Sequence, residues 1–365
     1  MGIVLQKLRK FDWILFTAVL LLIILGLSAI YSVNLSYEGN DASGFNRQVI
    51  FVIIGLIFFL FFSLLNYNFF RSHSRIIYIV TLILLVLVLI FGKNIRGTTG
   101  WFAIGTFGFQ PVEIAKIALI IFLAKFFSNR YQQFNQTKHI FISLLGTVVF
   151  VVLVLMQPDL GSALVLLAIW FMVLMLTGVK KIYILILVLI IISILLFSWF
   201  VVLQDYQKER VLTFTDPSRD PLGSGYNVAQ STIAIGSGQI FGRGLGFGSQ
   251  SQLRFIPESQ TDFVFAVIAE ELGLLGVILV LGLWGVIFWR LVRAARRAEN
   301  DFAMFFALGV TSLFALHIFV NIGMNMGLVP VTGISLPLLS SGGSFLVLTL
   351  GLLGVCHSII VRSNQ

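Results

Sequence analysis

The chain has 365 residues, of which 58% are hydrophobic and 11% charged, with a formal net charge of +9 and a mean hydropathy of +1.02. A soluble domain carries about a quarter charged residues, so a water-soluble globular protein is excluded. The positive balance does not signal nucleic acid, because the basic residues sit at the ends of apolar runs, where they report orientation in a membrane.

An apolar run of about 20 residues crosses a bilayer core. Ten such runs are expected, near 12–32, 48–65, 75–92, 112–127, 139–156, 160–177, 182–202, 262–289, 302–327 and 343–361. Irregular backbone facing lipid would leave amides unsatisfied, so the fold class is an all-α polytopic membrane protein of about ten transmembrane helices. It reads as one membrane domain over residues 1–365, with a large extracytoplasmic loop at 203–261 between the seventh and eighth spans. Lys7, Arg9 and Lys10 precede the first run and no small-residue cleavage pattern follows, so that run reads as a retained anchor. The single cysteine, Cys356, lies inside the last run, which leaves no disulfide framework.

Ten spans put both termini on one side. Arg71, Arg75, Lys125, Arg130, Lys180, Lys181, the four arginines from Arg290 to Arg297 and Arg362 fall there too. Short basic loops stay cytoplasmic, so both termini are expected inside the cell. All seven prolines fall in the opposite segments, and ordered non-helical backbone is therefore expected on the outer face.

Taken in chain order, the first outer segment runs from Arg96-Gly-Thr-Thr-Gly-Trp101 to Gln110-Pro-Val-Glu-Ile-Ala-Lys116. Pro111 suits the first turn of a helix, which sets Glu113 and Lys116 three residues apart on one face. Ionisable groups in a span are costly and either pair or line an aqueous path; both readings stay open for this couple. Gln157-Pro-Asp159-Leu-Gly makes a second outer turn.

In the 203–261 loop, Val228–Ile235 suits a short amphipathic helix lying on the membrane surface. Glycines at 242, 244, 246 and 248 follow, flanked by Arg243 and Arg254. Closely spaced glycines let backbone amides turn toward an anion such as a pyrophosphate, although such runs also serve as plain flexible turns. The segment is no dinucleotide fingerprint, since the spacing is wrong and no strand precedes it.

Asp262 stands where that loop enters the eighth span, in Pro257-Glu-Ser-Gln-Thr-Asp-Phe. A carboxylate at the outer lip of a membrane suits a polar substrate whose tail stays in lipid; it also suits the positive end of a helix. Glu270 lies eight residues on, ~12 Å deeper and ~80° around the helix. One of Glu270 and Glu271 is expected to pair with a cation from another span, with the Glu113–Lys116 group as the candidate. The uncharged stretch 328–344 has the bends of a re-entrant or packed loop. His73, His139, His317 and His357 show no metal or triad spacing and read as packing residues.

Together these strings resemble the SEDS family of cell-wall and sporulation proteins. The pieces that carry the resemblance are Gly100-Trp101, Gln110-Pro-x-Glu-x-Ala-Lys, Gln157-Pro-Asp-Leu-Gly, Arg210 within Glu-Arg-Val-Leu-Thr-Phe-Thr-Asp-Pro, Gly242-x-Gly-x-Gly, Pro257-Glu-Ser-Gln-Thr-Asp-Phe, and Pro330-Val-Thr-Gly through Ser341-Gly-Gly-Ser. The chain looks most like the elongation branch, although the division and sporulation branches share these motifs. Gln260 stands where the family pattern has histidine, and Ser341 where it has tyrosine; neither change removes an ionisable group.

The resemblance implies a ten-span fold similar in plan to membrane-embedded glycosyltransferases of the GT-C type. It implies a peptidoglycan glycosyltransferase of the bacterial cytoplasmic membrane that polymerises lipid II, a disaccharide-pentapeptide on undecaprenyl pyrophosphate, beside a class B penicillin-binding protein that cross-links the product. Asp262 is then the catalytic base. Arg210, Arg243, Gly244, Gly246, Lys116, Glu113, Trp101 and Asp159 become candidates for binding pyrophosphate or sugar, and Glu270 is a supporting charge. No cofactor is expected: the sequence shows no multi-carboxylate cage, and a divalent cation at the pyrophosphate is the one alternative left open. A lipid II flippase is the rival function, and a scaffold that only recruits the cross-linking enzyme is the third.

Overall fold

The structure is a computed structural model that describes residues 11–36, 43–95, 97–104, 107–130, 137–201, 205–216, 219–220 and 223–363. Helices stand at all ten expected positions: α1 (Trp13–Leu35), α2 (Ser43–Leu64), α4 (Ser74–Phe91), α5 (Pro111–Ser128), α6 (Thr137–Leu155), α7 (Leu160–Met175), α8 (Lys181–Val201), α12 (Val264–Arg296), α13 (Asp301–Asn325) and α14 (Gly343–Ser363). A short α3 (Asn68–Ser72) joins α2 to α4. Between α8 and α12 lie α9 (Asp205–Thr215), α10 (Ser224–Ser237) and the single turn α11 (Ser249–Gln252).

Among the described residues, seven of these helices are long and apolar enough to cross a membrane. α5 carries Glu113, Lys116 and Lys125, and α7 and α8 supply shorter apolar stretches. The protein is a multi-pass helical membrane protein. Local chemistry sets several helix starts. Asp12 accepts from the amide of Leu15, Asp159 from that of Ser162 and Asn300 from that of Ala303, each satisfying an otherwise orphaned donor. Pro111 opens α5, where its missing N–H costs nothing.

The segment between α4 and α5 adds a small sheet to the helical bundle. β1 (Lys93–Ile95), β2 (Thr98–Ile104) and β3 (Phe107–Phe109) form an antiparallel meander in the order β1-β2-β3, with Lys93 opposite Trp101 and Phe102 opposite Phe109. The run Thr-Thr-Gly-Trp-Phe-Ala-Ile is rich in β-branched and aromatic residues, and Gly97 takes φ 82° at the first turn.

The expected helix over 228–235 is part of α10, which packs against α12 and α13. Its Ser231 hydroxyl donates to the Asn325 carbonyl at 2.8 Å, Ala234 is buried against Phe263 and Ala266, and a Cβ on Gly238 would overlap the Ala269 carbonyl. The segment thus follows α12 as a hairpin. It meets a break in α12 at Gly273 (φ 63°, ψ −161°), eleven residues or ~16 Å along the helix from Asp262. Leu274 and Leu275 there donate to the carbonyls of Gln239 and Ile240, so the hairpin replaces the hydrogen bonds that the break removes.

Candidate functional site

Asp262 lies one residue outside the N-cap of α12, a position held by Phe263 without a side-chain cap. What fixes it is its backbone. The Asp262 carbonyl accepts from both Asn321 Nδ2 and Asn325 Nδ2, each at 3.0 Å, and its amide donates to the Glu258 carbonyl at 3.1 Å. Its neighbours are held as well: Ser340 Oγ donates to the Thr261 carbonyl at 2.5 Å and the Ser341 amide to the Gln260 carbonyl at 2.7 Å. Gln260, the residue that departs from the family pattern, donates to Asn34 Oδ1 at 2.8 Å.

The half-buried Asp262 carboxyl faces the loop from Pro330 to Ser335. Its Oδ2 lies 3.7 Å from where a Cβ would stand on Gly333, whose φ of 73° itself favours glycine. The same loop covers the start of α7, since a Cβ on Gly161 would stand 3.1 Å from the Thr332 carbonyl and 3.8 Å from Asp159 Oδ1. Asp159 Oδ2 accepts from Gln110 Nε2 at 3.3 Å. Gly100 closes against Gln157, so the strand carrying Trp101 joins the same neighbourhood.

Beneath the loop lies a buried polar layer. Lys116 Nζ is 2.9 Å from Glu113 Oε1 and 3.4 Å from His317 Nε2. His317 Nδ1 is 3.2 Å from the Ser335 carbonyl, and the ring stacks on Phe345 at 5.0 Å. Lys116 has only donors, so His317 Nε2 accepts from it while Nδ1–H donates to Ser335. Asn321, one turn further along α13, also donates to the Ile334 carbonyl at 2.8 Å.

The structure thus brings Asp262, Asp159, Gln110, Glu113 and Lys116 around one loop, with Trp101 on the adjoining strand. His317, Asn321 and Asn325 join them, and the sequence reading missed all three. Their signal is the i, i+4, i+8 spacing, which puts three polar groups on one face of an apolar helix.

Other candidates sit elsewhere. Lys116 does not reach Glu270. The Glu270 carboxylate accepts from the amides of Gln250 (2.7 Å) and Ser251 (3.0 Å) and from Ser249 Oγ (3.4 Å). Glu271 Oε1 accepts from Ser32 Oγ and from the Gly246 amide at 3.3 Å. Among the described residues neither glutamate has a cation at ion-pair distance, so the expected pairing is corrected: amides and hydroxyls take both oxygens of Glu270 and Oε1 of Glu271. The Arg243 and Gly244 amides donate to the Glu270 and Glu271 carbonyls. The Gly244 amide is therefore turned onto the backbone of α12 beside its break, and the Gly246 amide onto the Ser32 hydroxyl and the Glu271 carboxylate. Arg243 reaches out instead, exposed, with Nε 3.2 Å from Ser237 Oγ. Arg210 lies on α9, but its side chain falls outside the described residues, as does all of Arg96. No group of three or more acidic, histidine or cysteine side chains that could hold a metal occurs among the described residues.

A multi-pass helical bundle, with a carboxylate at the mouth of one broken span and an ion pair under a packed loop, defines the class. The FtsW/RodA/SpoVE profile, described as a cell cycle protein, matches residues 12–365, and the chain belongs to that family. It is 38% identical to stage V sporulation protein E of Bacillus subtilis (strain 168), over 95% of this chain and 96% of that one. It is also 38% identical to peptidoglycan glycosyltransferase MrdB of Escherichia coli (strain K12), over 93% and 92%. To the probable peptidoglycan glycosyltransferase FtsW of Trichlorobacter lovleyi the identity is 35%, over 97% and 94%. Among solved structures, a chain of a peptidoglycan synthase complex that coordinates polymerization and crosslinking superposes with a TM-score of 0.82 at 32% identity, covering 97% of this chain and 99% of that one. The rod shape determining protein RodA of Thermus thermophilus gives 0.73 at 28%, covering 97% and 98%. The relatives divide among stage V sporulation protein E, MrdB, RodA and FtsW.

Proposed function

We propose that the chain is a peptidoglycan glycosyltransferase that polymerises lipid II at the outer face of the cytoplasmic membrane, with both termini in the cytoplasm. The observation that carries this reading is the placement of Asp262: a carboxyl at the mouth of a span, its backbone pinned by two asparagines, facing the loop that also covers Asp159.

In the reaction, Asp262 takes the proton from the acceptor sugar's 4-hydroxyl. The freed oxygen attacks the anomeric carbon of the donor, the bond from that carbon to the pyrophosphate oxygen breaks, and undecaprenyl pyrophosphate leaves. One displacement inverts the α-linked donor to a β-1,4 product. A positioned base contributes typically 10²–10⁴-fold. Lys116, buried with its ammonium held between Glu113 and His317, sets a positive charge under the loop. With Arg243 and Arg210 it forms our set for the leaving pyrophosphate, and Trp101 and Asp159 are assigned to the sugars. The binding partners on this reading are lipid II and a class B penicillin-binding protein. Within the family we assign the elongation branch, supported by the likeness to RodA; rescue of an elongation-defective strain, against division- and sporulation-defective ones, tests it.

The enzymatic test is glycan polymerisation from labelled lipid II by purified protein with its cross-linking partner, comparing wild type and Asp262→Asn. Ladders from wild type alone, with equal folding of the mutant, are expected. Ladders from both would remove Asp262 from the base role. Lipid II movement across vesicles with no ladders from either would return the protein to the flippase reading.

A further inference from the structure

At the end of the bundle opposite Asp262, α12 finishes in Trp289-Arg290-Leu-Val-Arg293-Ala-Ala-Arg296-Arg297. Positive-inside sorting accounts for basic residues here, and so does the negative end of a helix. Neither accounts for how they are arranged. Arg290, Arg293 and Arg297 fall at i, i+3 and i+7 and line a cleft with Ala294, Ile360 and Ser363, between the ends of α12 and α14.

The acids around this cleft are already engaged or turned away. Asp12 Oδ2 accepts from Arg290 Nη2 at 2.6 Å and from its Nε at 2.7 Å. Glu299 accepts from the Tyr67 hydroxyl, and Asp301 is exposed in the first turn of α13. Arg293 is half-buried and Arg297 exposed, and among the described residues neither has an acidic partner at ion-pair distance. Arg362 turns aside, donating to Ser358 and to the Leu64 carbonyl.

Trp289 fixes the depth. It is 52% exposed, and the guanidinium carbons of Arg290 and Arg293 lie 5.3 and 5.4 Å from its ring. An exposed tryptophan at a span end marks the headgroup layer of a bilayer. A guanidinium fork fits phosphate oxygens two at a time, and basic pockets between spans suit lipid phosphates.

We propose that this cleft binds the phosphate headgroup of an anionic phospholipid. Arg293 and Arg297 donate to its oxygens, and Ile360 meets the start of the acyl chains.

The test is native mass spectrometry of the purified full chain exchanged into phosphatidylglycerol or phosphatidylcholine. Wild type is expected to retain phosphatidylglycerol preferentially. Arg293→Gln/Arg297→Gln should lose that preference, at about fivefold for each arginine removed. Arg297→Gln alone removes an exposed side chain and leaves packing intact, so it should give about half the effect on a logarithmic scale even if the double variant folds poorly. Arg71→Gln/Arg75→Gln removes equal charge elsewhere at the same end and should change little. Retention unchanged in the Arg297 variant, or an equal drop in the Arg71/Arg75 control, overturns the site. Displacement of the lipid from wild type by millimolar inorganic phosphate would also overturn it, in favour of a free-phosphate site.

Discussion

Asn321 holds Asp262 by its backbone and not by its carboxyl: Nδ2 stands 3.0 Å from the Asp262 carbonyl and 2.8 Å from the Ile334 carbonyl. One amide group therefore ties the mouth of α12 to the loop that its carboxyl faces. Replacing it with Asp would set an acceptor against two acceptors. Asn321→Asp is expected to lower polymerisation by one to two orders of magnitude while the apparent KM for lipid II moves less, and to lower Tm because the Ile334 carbonyl loses this donor, at about 1–3 kcal/mol, while the Asp262 carbonyl keeps only that of Asn325. Steady-state kinetics beside a thermal melt reads both; normal turnover would show that the tie does not position the carboxyl.

Lys116 and Glu113 allow stability to be separated from catalysis. Lys116→Met leaves the partly buried Glu113 without its cation and His317 without its donor, a loss of up to about 3–5 kcal/mol on the scale of broken buried pairs. Glu113→Gln/Lys116→Met removes both charges and should regain much of that stability. If Lys116 serves the pyrophosphate, the folded double variant still makes no glycan. A melting curve and a polymerisation assay on the same three proteins decide it, and an active double variant would confine the pair to a structural role.

The two adjacent glutamates should respond differently to the same change. Glu270 uses both oxygens, accepting from the amides of Gln250 and Ser251, so Glu270→Gln must aim an NH₂ at a donor. Among the described residues Glu271 uses Oε1 only, and its Oε2 has no hydrogen-bond partner. Glu271→Gln keeps the acceptor in use. Thermal shift in detergent should fall by several degrees for Glu270→Gln and stay near wild type for Glu271→Gln; equal shifts would contradict these assignments.

Gly242 and Gly273 sit where two backbones touch, each at positive φ and each with no room for a Cβ. Alanine at either is expected to destabilise the protein strongly, because it both strains the backbone and separates the hairpin from the break in α12. Gly282, on the same helix, has open space around its Cβ direction, and Gly282→Ala should be close to neutral. Expression level and Tm of the three variants check this, and a tolerated Gly273→Ala would mean the break repacks.

Several features were legible in the chain itself. The ten helices follow from runs of apolar residues, because a bilayer forces each run to satisfy its own amides. Asp262 and the Glu113–Lys116 couple stood out because charges in such runs are rare and must be accounted for. The resemblance strings also tied Asp159 to the same neighbourhood before any distance was known.

Other features were decided by tertiary structure. His317 looked like an isolated packing residue because its two partners, Lys116 and Ser335, come from α5 and from the loop before α14, and no local pattern encodes such a meeting. The glycine run looked open to an anion because amide direction depends on what lies opposite. Here the broken ladder of α12 takes the amides of Arg243 and Gly244, and the Ser32 hydroxyl and Glu271 carboxylate take that of Gly246. The order of the spans belongs to local hydropathy, whereas the site belongs to long-range pairing of buried polar groups. Only the folded bundle brings those groups together.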